Sequence, residues 1–171
     1  MTKDQKTVAI GAASGIIGMV LLVWLISNAI PEPVVNDAPG NRLAYALRWS
    51  VVAVLPLFAM LVAVGNARFL SEAIDPTLGK ESEKMVVDGR VADNTLQQFV
   101  CFLVGIAALS VSVPIHWISV IPAVAITFVI CRMVFWIGYR IHPLYRAPGF
   151  SSTAYMNLFM YIAVIWLRLA Q

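Results

Sequence analysis

The sequence predicts an all-α integral membrane protein with five transmembrane helices and a cytoplasmic N-terminus. Its 171 residues are 60% apolar and only 12% charged, with a mean hydropathy of +0.83. This composition is far more apolar than that of a soluble globular domain. Five separate apolar stretches are each long enough to cross a hydrocarbon core of about 30 Å, and the basic residues divide unevenly between the loops.

The predicted spans are, in chain order, residues 8–30, 44–64, 96–113, 117–139 and 154–169. The first span is longer than the apolar core of a secretory signal peptide, which favours a retained helix over a cleaved leader, although both interpretations remain open. Prolines and glycine in residues 31–40 predict the loop that follows it. The polar segment 71–93 is expected to be a loop, since it is too short for a second domain.

The orientation follows from the Lys and Arg residues on each side of the predicted spans. One side carries eight, namely Lys3, Lys6, Arg68, Lys80, Lys84, Arg90, Arg140 and Arg146. The other side carries three, namely Arg42, Arg48 and Arg168. Because cytoplasmic loops are enriched in Lys and Arg, the N-terminus is predicted to lie in the cytoplasm and the C-terminus outside it. A bacterial inner membrane and a eukaryotic endomembrane are both compatible with this topology.

Several classes of site are not predicted. The basic residues are too scattered for a nucleic-acid-binding surface. Cys101 and Cys131 both lie in apolar runs, which is typical of buried thiols and not of a disulfide framework. No spacing of His, Cys, Asp and Glu typical of a metal site occurs in the sequence.

Arg132 lies inside the fourth apolar segment, where an arginine is costly. Insertion scales put that cost at about 2.5–3.5 kcal/mol at the bilayer centre, so the side chain is expected to be paired, hydrated or functional. Trp136 and Tyr139 share its helix face by spacing, and Arg146 follows just beyond the membrane boundary. Alternatively, Arg132 is a structural residue held by an ion pair or by backbone carbonyls.

A polar stripe in the third predicted helix lies at the same depth. Arg90, Asn94, Gln97 and Cys101 recur at intervals of four, three and four residues, which places them on one helical face. Arginine donates to carboxylates, and the side-chain amides can bond peptide groups in either sense, so a small anionic, peptide-like ligand is expected. Alternatively, the arginines are ordinary cytoplasmic-side residues and the amides bond between helices.

These residues resemble the MAPEG family of membrane proteins of eicosanoid and glutathione metabolism. The spacing Arg90-x-x-x-Asn94-x-x-Gln97 is similar to the family's Arg-x-x-x-Asn-x-x-Glu, and Arg132, Tyr139 and Arg146 resemble its Arg, Tyr and Arg around the next helix–loop junction. The resemblance covers residues 45–170. It implies an extra N-terminal helix and loop in residues 1–42 and a MAPEG-like four-helix domain in residues 43–171. The segments RLAYALR, RVADNTLQQFV and RMVFWIGYRI, with PGF after the last, are similar to five-helix members of the family.

The resemblance implies a homotrimer with glutathione sites between subunits, open to the cytoplasm and to membrane lipids. Arg146 would lower the pKa of the glutathione thiol, because a nearby cation favours the thiolate. The thiolate would then attack a lipophilic electrophile or peroxide, as in a microsomal-type glutathione transferase or peroxidase. The residues that would hold glutathione are Arg68, Arg90, Asn94, Gln97, Arg132 and Tyr139.

Two departures from the family pattern leave the activity open. Gln97 replaces the usual Glu and so removes an anion that would pair with the γ-glutamyl ammonium, and Phe135 stands where family enzymes often have Tyr or His. The alternative is therefore a non-enzymatic membrane regulator that binds lipids or proteins. A small transporter or channel is less favoured, because the polar residues cluster at one leaflet.

Overall fold

The computed structural model describes residues 1–31 and 33–170, and it consists of helices joined by short turns. Glu32 in the predicted loop and Gln171 at the end of the predicted domain lie outside the described residues. The five long helices are α1 (Lys3–Ala29), α2 (Pro39–Phe69), α3 (Glu83–Ser112), α4 (Val120–Ile141) and α5 (Ala147–Leu169). All five are long and apolar enough to cross a membrane, which confirms the predicted fold class and an integral, multi-pass protein.

Two of the long helices, α1 and α3, begin at side-chain caps. Thr2 and Gln5 form a capping box at the start of α1, in which the Thr2 hydroxyl accepts from the Gln5 amide at 3.2 Å and the Gln5 side chain accepts from the Thr2 amide at 2.9 Å. Ser82 caps α3 by accepting a bond from the Met85 amide at 3.3 Å. These caps satisfy backbone N–H groups that the first helical turn leaves without partners.

The cap at Ser82 also corrects the predicted loop of residues 71–93. Its first part contains two short 3-10 helices, Glu72–Ile74 and Pro76–Leu78, but α3 already begins at Glu83. The helix therefore begins before Asp88, where the polar stripe places its start, and before the apolar segment of residues 96–113. Hydropathy located only the part of α3 that can lie in hydrocarbon, whereas the cap determines where the backbone becomes helical.

Helices α2 to α5 pack together around an apolar core. Phe102 of α3 and Phe128 of α4 meet at its centre, with ring centroids 4.5 Å apart. Small residues of α2 pack from one side and methionines of α5 from the other, so the helices interdigitate closely. The fully or nearly fully buried core residues from these helices include Ala46, Ala53, Phe102, Ile106, Phe128, Met156 and Met160.

Helix α1 packs on the outside of this unit against α4 and α5. Its closest approach is at Gly15, where an added Cβ would lie 2.8 Å from the Cα of Pro148. The Ser152 hydroxyl lies 2.8 Å from the carbonyl oxygen of Gly15 and 2.7 Å from that of Pro148. Small residues let two helix backbones come this close, which is how helices associate where no hydrophobic effect drives them together.

Arg42 joins α2 to α3 at the end of the bundle opposite to the Lys- and Arg-rich side. Its buried guanidinium donates from Nε to the Ser110 carbonyl at 2.7 Å and from Nη2 to the Val113 carbonyl, and Nη1 contacts Asp37 at 3.1 Å. The last carbonyls of a helix have no partner within the helix and carry partial negative charge. Arg42 supplies hydrogen-bond donors and a positive charge to these carbonyls at the C-terminus of α3.

The contact at Gly15 predicts a specific sensitivity of α1 packing. Gly15→Ala should lower the free energy of unfolding in mild detergent by about 1–3 kcal/mol, because the added methyl group overpacks the backbone of α5. Gly18→Ala is the matched control, since a Cβ there meets no atom within 4 Å. Thermal unfolding of both variants measures the difference, and equal melting temperatures would contradict the close α1–α5 contact.

Candidate functional site

Arg132 is the largest fully buried side chain, with 0% of its surface exposed. Nε and Nη2 donate to the Thr95 hydroxyl at 3.2 and 2.8 Å, Nη1 donates to the Thr153 hydroxyl at 3.0 Å, and Nη2 also donates to Asn94 Oδ1 at 3.0 Å. All these acceptors are neutral. The guanidinium is therefore hydrogen-bonded, but among the described residues it has no counter-charge within salt-bridge distance, so the structural ion pair considered above is not observed.

The two threonines are oriented to accept these bonds. The Thr95 hydroxyl donates its own proton to the Val91 carbonyl at 2.7 Å, one turn earlier in α3. The Thr153 hydroxyl lies 3.2 Å from the Gly149 carbonyl in the same way on α5. Because each hydroxyl proton is directed at the helix backbone, the oxygen lone pairs are left for Arg132. Arg132 thus connects α3, α4 and α5 at one depth.

Phe135 and Asn94 separate Arg132 from the nearby cavity. The Phe135 ring centroid lies 4.0 Å from the guanidinium carbon, a cation–π contact. Asn94 accepts from Arg132 with Oδ1, and since arginine can only donate, this bond fixes which way the amide points. The Asn94 NH₂ group is then available to the cavity, and Arg132 acts as its positioning residue.

A cavity of about 280 Å³ lies next to this network. Its walls come from α3, α4, the start of α5 and the turn Pro143–Arg146 between α4 and α5. The lining residues are Arg90, Asn94, Phe135, Tyr139, Arg146 and Phe150. Nη1 of Arg146 donates to the Tyr139 hydroxyl at 3.2 Å, and its guanidinium carbon lies 5.0 Å from the Tyr139 ring centroid.

The lining carries positive charge from Arg90 and Arg146 and includes no Asp or Glu among the described residues. Asp88, the buried acid of α3, is engaged elsewhere, because it holds Arg140 through two bonds of 2.7 and 2.6 Å and accepts from Trp136 at 2.8 Å. An anionic group entering the cavity would therefore meet two guanidinium groups, an amide donor and a phenol.

Two glycines allow the backbone approaches that shape this site. At Gly149 of α5, an added Cβ would lie 2.6 Å from the Cys131 carbonyl oxygen and 2.6 Å from the Phe135 Cα. At Gly138 of α4, an added Cβ would lie 2.9 Å from the carbonyl carbon of Tyr145. The absence of a side chain at Gly149 lets α5 pack closely on α4 beside Arg132. The absence of a side chain at Gly138 lets the α4–α5 turn pack on α4, where Arg146 contacts Tyr139.

The structure brings some of the predicted site residues together and leaves others apart. Arg90, Asn94, Tyr139 and Arg146 line the cavity, and Arg132 lies one layer behind it. Gln97 is exposed on α3 and does not line the cavity of a single chain. Arg68, at the end of α2, forms an ion pair of 2.5 Å with Glu81 and also lies outside the cavity.

Thr95 and Thr153, which hold Arg132, were not among the site residues that the sequence predicted. Both are polar residues in apolar helices, and Thr153 belongs to the small polar run Ser151–Ser152–Thr153 of α5, all three members of which are buried. That run signals a close helix contact, as does Gly11-x-x-x-Gly15 in α1. Asp88 was also not predicted, because it lies in the segment 71–93 that was expected to be a loop.

The sequence of this chain is similar to that of known membrane proteins. The sequence profile of the MAPEG family matches residues 46–166. Transmembrane protein 79 of Mus musculus is 25% identical over 122 residues, covering 68% of this chain and 31% of that protein. The Bos taurus protein of the same name is 24% identical over 122 residues, with the same coverage. This chain thus spans about a third of the length of these relatives, and no solved structure matches it.

The matched residues run from α2 to α5 and include every residue that lines the cavity, whereas α1 lies outside the match. Transmembrane protein 79 is the MAPEG-like protein mattrin, so these relatives confirm the predicted resemblance to mattrin-like members of the family. Because the profile covers well over half of the chain, this integral membrane protein belongs to the MAPEG family.

Proposed function

We propose that this MAPEG protein binds glutathione at the cavity between α3, α4 and α5. The observation that carries the proposal is the pairing of Arg90 and Arg146 around one small cavity whose described lining includes no acid. Glutathione is a tripeptide with two carboxylates, one ammonium group, two amides and a thiol. A site with guanidinium groups, a positioned amide and a phenol matches its carboxylates and amides in charge and in hydrogen-bonding type.

Each side chain has a distinct role in this proposal. Arg90 binds a carboxylate through its planar fork, and the Asn94 NH₂ group donates to a peptide carbonyl. Tyr139 accepts from Arg146 and keeps its own hydroxyl proton for the ligand. Arg132 does not touch the ligand and instead holds Asn94 in its binding orientation.

We further propose that the site is completed by neighbouring copies in a homotrimer. One face of α3 exposes polar Arg90, Asp93 and Gln97 beside apolar side chains that are at least half exposed, namely Leu96, Val100 and Val104. Polar side chains at membrane depth normally face protein or water, so a second copy on this face would relieve their cost. It would also bring Gln97 to a site between subunits, and Arg68 could exchange Glu81 for a ligand carboxylate.

In the enzymatic form of the proposal, Arg146 stabilises the glutathione thiolate. A guanidinium about 4 Å from the sulfur would lower the thiol pKa by about one to three units at the dielectric of a partly buried site. The thiolate would then attack a lipophilic electrophile or a peroxide that enters from the membrane. The reaction class is that of a microsomal-type glutathione transferase or peroxidase.

A second candidate function is binding without turnover, as a membrane regulator or a lipid- or protein-binding protein. Two observations favour it. No acid among the described residues lines the cavity to pair with the γ-glutamyl ammonium, and Gln97 carries no charge to supply one. Phe135 has no hydroxyl or imidazole to offer the thiol, and its ring instead covers Arg132.

Glutathione binding should depend on Arg132 although this residue does not line the cavity. Arg132→Ala and Asn94→Ala should each weaken glutathione affinity about tenfold. The first variant removes the side chain that orients the Asn94 amide, and the second removes the amide itself. Arg48→Ala is the control, since Arg48 is exposed at the opposite end of the bundle. Calorimetric titration in detergent measures the effect. Wild-type affinity in both variants would contradict the proposed site.

The two functional candidates differ in the protonation state of bound glutathione. In the enzymatic form, wild type plus glutathione should show thiolate absorbance in the ultraviolet at neutral pH, since Arg146 stabilises the anion. Arg146→Ala should remove this absorbance and keep most of the affinity, whereas Arg146→Lys should retain part of it. Glutathione that binds without thiolate absorbance would establish the non-enzymatic function instead.

The proposed trimer predicts a defined mass in solution. Native mass spectrometry from mild detergent should show three chains per particle. Val104→Trp, on the exposed face of α3, should shift the population towards monomer because the added ring overpacks the subunit contact. Leu21→Trp on the exposed face of α1 is the control. A wild-type monomer would count against a site shared between subunits.

A further inference from the structure

A second and larger cavity, of about 750 Å³, lies at the end of the bundle opposite to the arginine-lined cavity. It separates α1 from the ends of α3 and α5 and the start of α4. Its apolar walls include Met19 and Val23 of α1, Leu109 of α3, Val124 of α4, and Met156 and Ala163 of α5. Its volume is within the range of about 300–1,000 Å³ that is common for small-molecule sites.

The size of the side chains along α1 explains why the cavity exists. At Gly11 and Gly15 the α1 backbone approaches Pro148 at the start of α5 within contact distance. Further along the helix the corresponding positions are Met19 and Val23, whose larger side chains do not allow so close a backbone contact. Both of them line the cavity, which the side chains around it leave unfilled.

The chemistry of the cavity is divided along its length. No Asp, Glu, Lys or Arg lines the described part of it. Its polar groups lie at the helix ends, where Ser27 and Asn28 complete α1 and His116 and Ser119 lie between α3 and α4. Trp24, Trp117 and Trp166 flank the same end, and tryptophan is enriched at the membrane–water interface.

Hydrogen bonds at the end of α1 determine what the mouth of the cavity offers. The Asn28 NH₂ group donates to the Trp24 carbonyl at 2.6 Å, and the Ser27 hydroxyl donates to the same carbonyl at 3.0 Å. The Ser27 hydroxyl proton is thus used on the helix backbone, which leaves its oxygen as an acceptor, and Asn28 keeps its Oδ1 acceptor beside one remaining N–H. A ligand group that donates a hydrogen bond is complementary to these oxygens.

We propose that this cavity binds one neutral long-chain lipid alcohol. Its hydroxyl group donates to Asn28 Oδ1 at the interface, and its chain lies along Met19 and Val23 towards Met156. A fatty acid or a phospholipid fits less well, because no Lys or Arg of residues 1–31 and 33–170 lines the cavity to pair with a carboxylate or phosphate. This site involves α1, which the family match does not include, and it does not depend on glutathione binding.

The test uses the full chain in phosphatidylcholine nanodiscs and a photoreactive long-chain primary alcohol as the probe. Labelling should be saturable and should map to α1 and α5 residues that line the cavity. The unlabelled alcohol should compete about fivefold better than its methyl ether, which has lost the hydrogen-bond donor, and better than the carboxylic acid of equal length.

Matched variants separate the cavity from the general membrane surface. Ala163→Trp places an indole ring inside the cavity, where it obstructs the lipid chain, and should reduce saturable labelling at least about tenfold. The adjacent Ile162 does not line the cavity, so Ile162→Trp should leave labelling unchanged. Asn28→Leu should retain labelling but remove the preference for the alcohol over the ether.

Several results would overturn the proposal. They are labelling that does not saturate, labelling spread evenly over all exposed helices, or equal labelling of the Ala163→Trp and Ile162→Trp proteins. Equal competition by the alcohol, the ether and the acid would overturn the assigned chemical class. If Ala163→Trp does not fold, as judged by its melting temperature, the alcohol-to-ether ratio in wild type and Asn28→Leu decides the question.

Discussion

The hydrogen bonds of Arg132 are the interaction on which the membrane core depends. A buried guanidinium inside an apolar helix is tolerated only if its N–H groups find acceptors, since each unsatisfied group costs free energy. Thr95, Asn94 and Thr153 provide these acceptors from two neighbouring helices, and the Phe135 ring covers the cation. Satisfying Arg132 therefore sets the rotation of α3 and α5 about α4. The same constraint presents the Asn94 amide to the cavity, so structural and functional requirements meet in one network.

Close backbone contacts give the two ends of the bundle different properties. Gly138 and Gly149 press the α4–α5 turn and the start of α5 against α4, which produces a small polar cavity lined by arginines. At the other end, beyond the close contact of Gly15 with α5, a larger apolar cavity lies between α1 and the other helices. One cavity is suited to an anionic peptide-like ligand and the other to a neutral lipophile, because charge lines the first and is absent from the described lining of the second.

The extra helix α1 separates this chain from a four-helix description of its family. The MAPEG profile begins within α2, whereas α1 packs on α4 and α5 through small residues and supplies one wall of the apolar cavity. The family match covers α2 to α5 and every residue that lines the arginine-lined cavity. It does not account for α1, whose contribution is specific to the five-helix arrangement.

By itself the sequence determined the number of spans and predicted that Arg90, Asn94, Arg132, Tyr139 and Arg146 lie towards the same end of the bundle, since apolar length and helical spacing are local properties. Tertiary structure alone decided which side chains satisfy Arg132, because Thr95 and Thr153 are distant in sequence and meet it only through helix rotation. It also decided that Gln97 lies outside the single-chain cavity although it shares the predicted stripe. Helical spacing predicts a face, but only packing against neighbouring helices determines what that face meets.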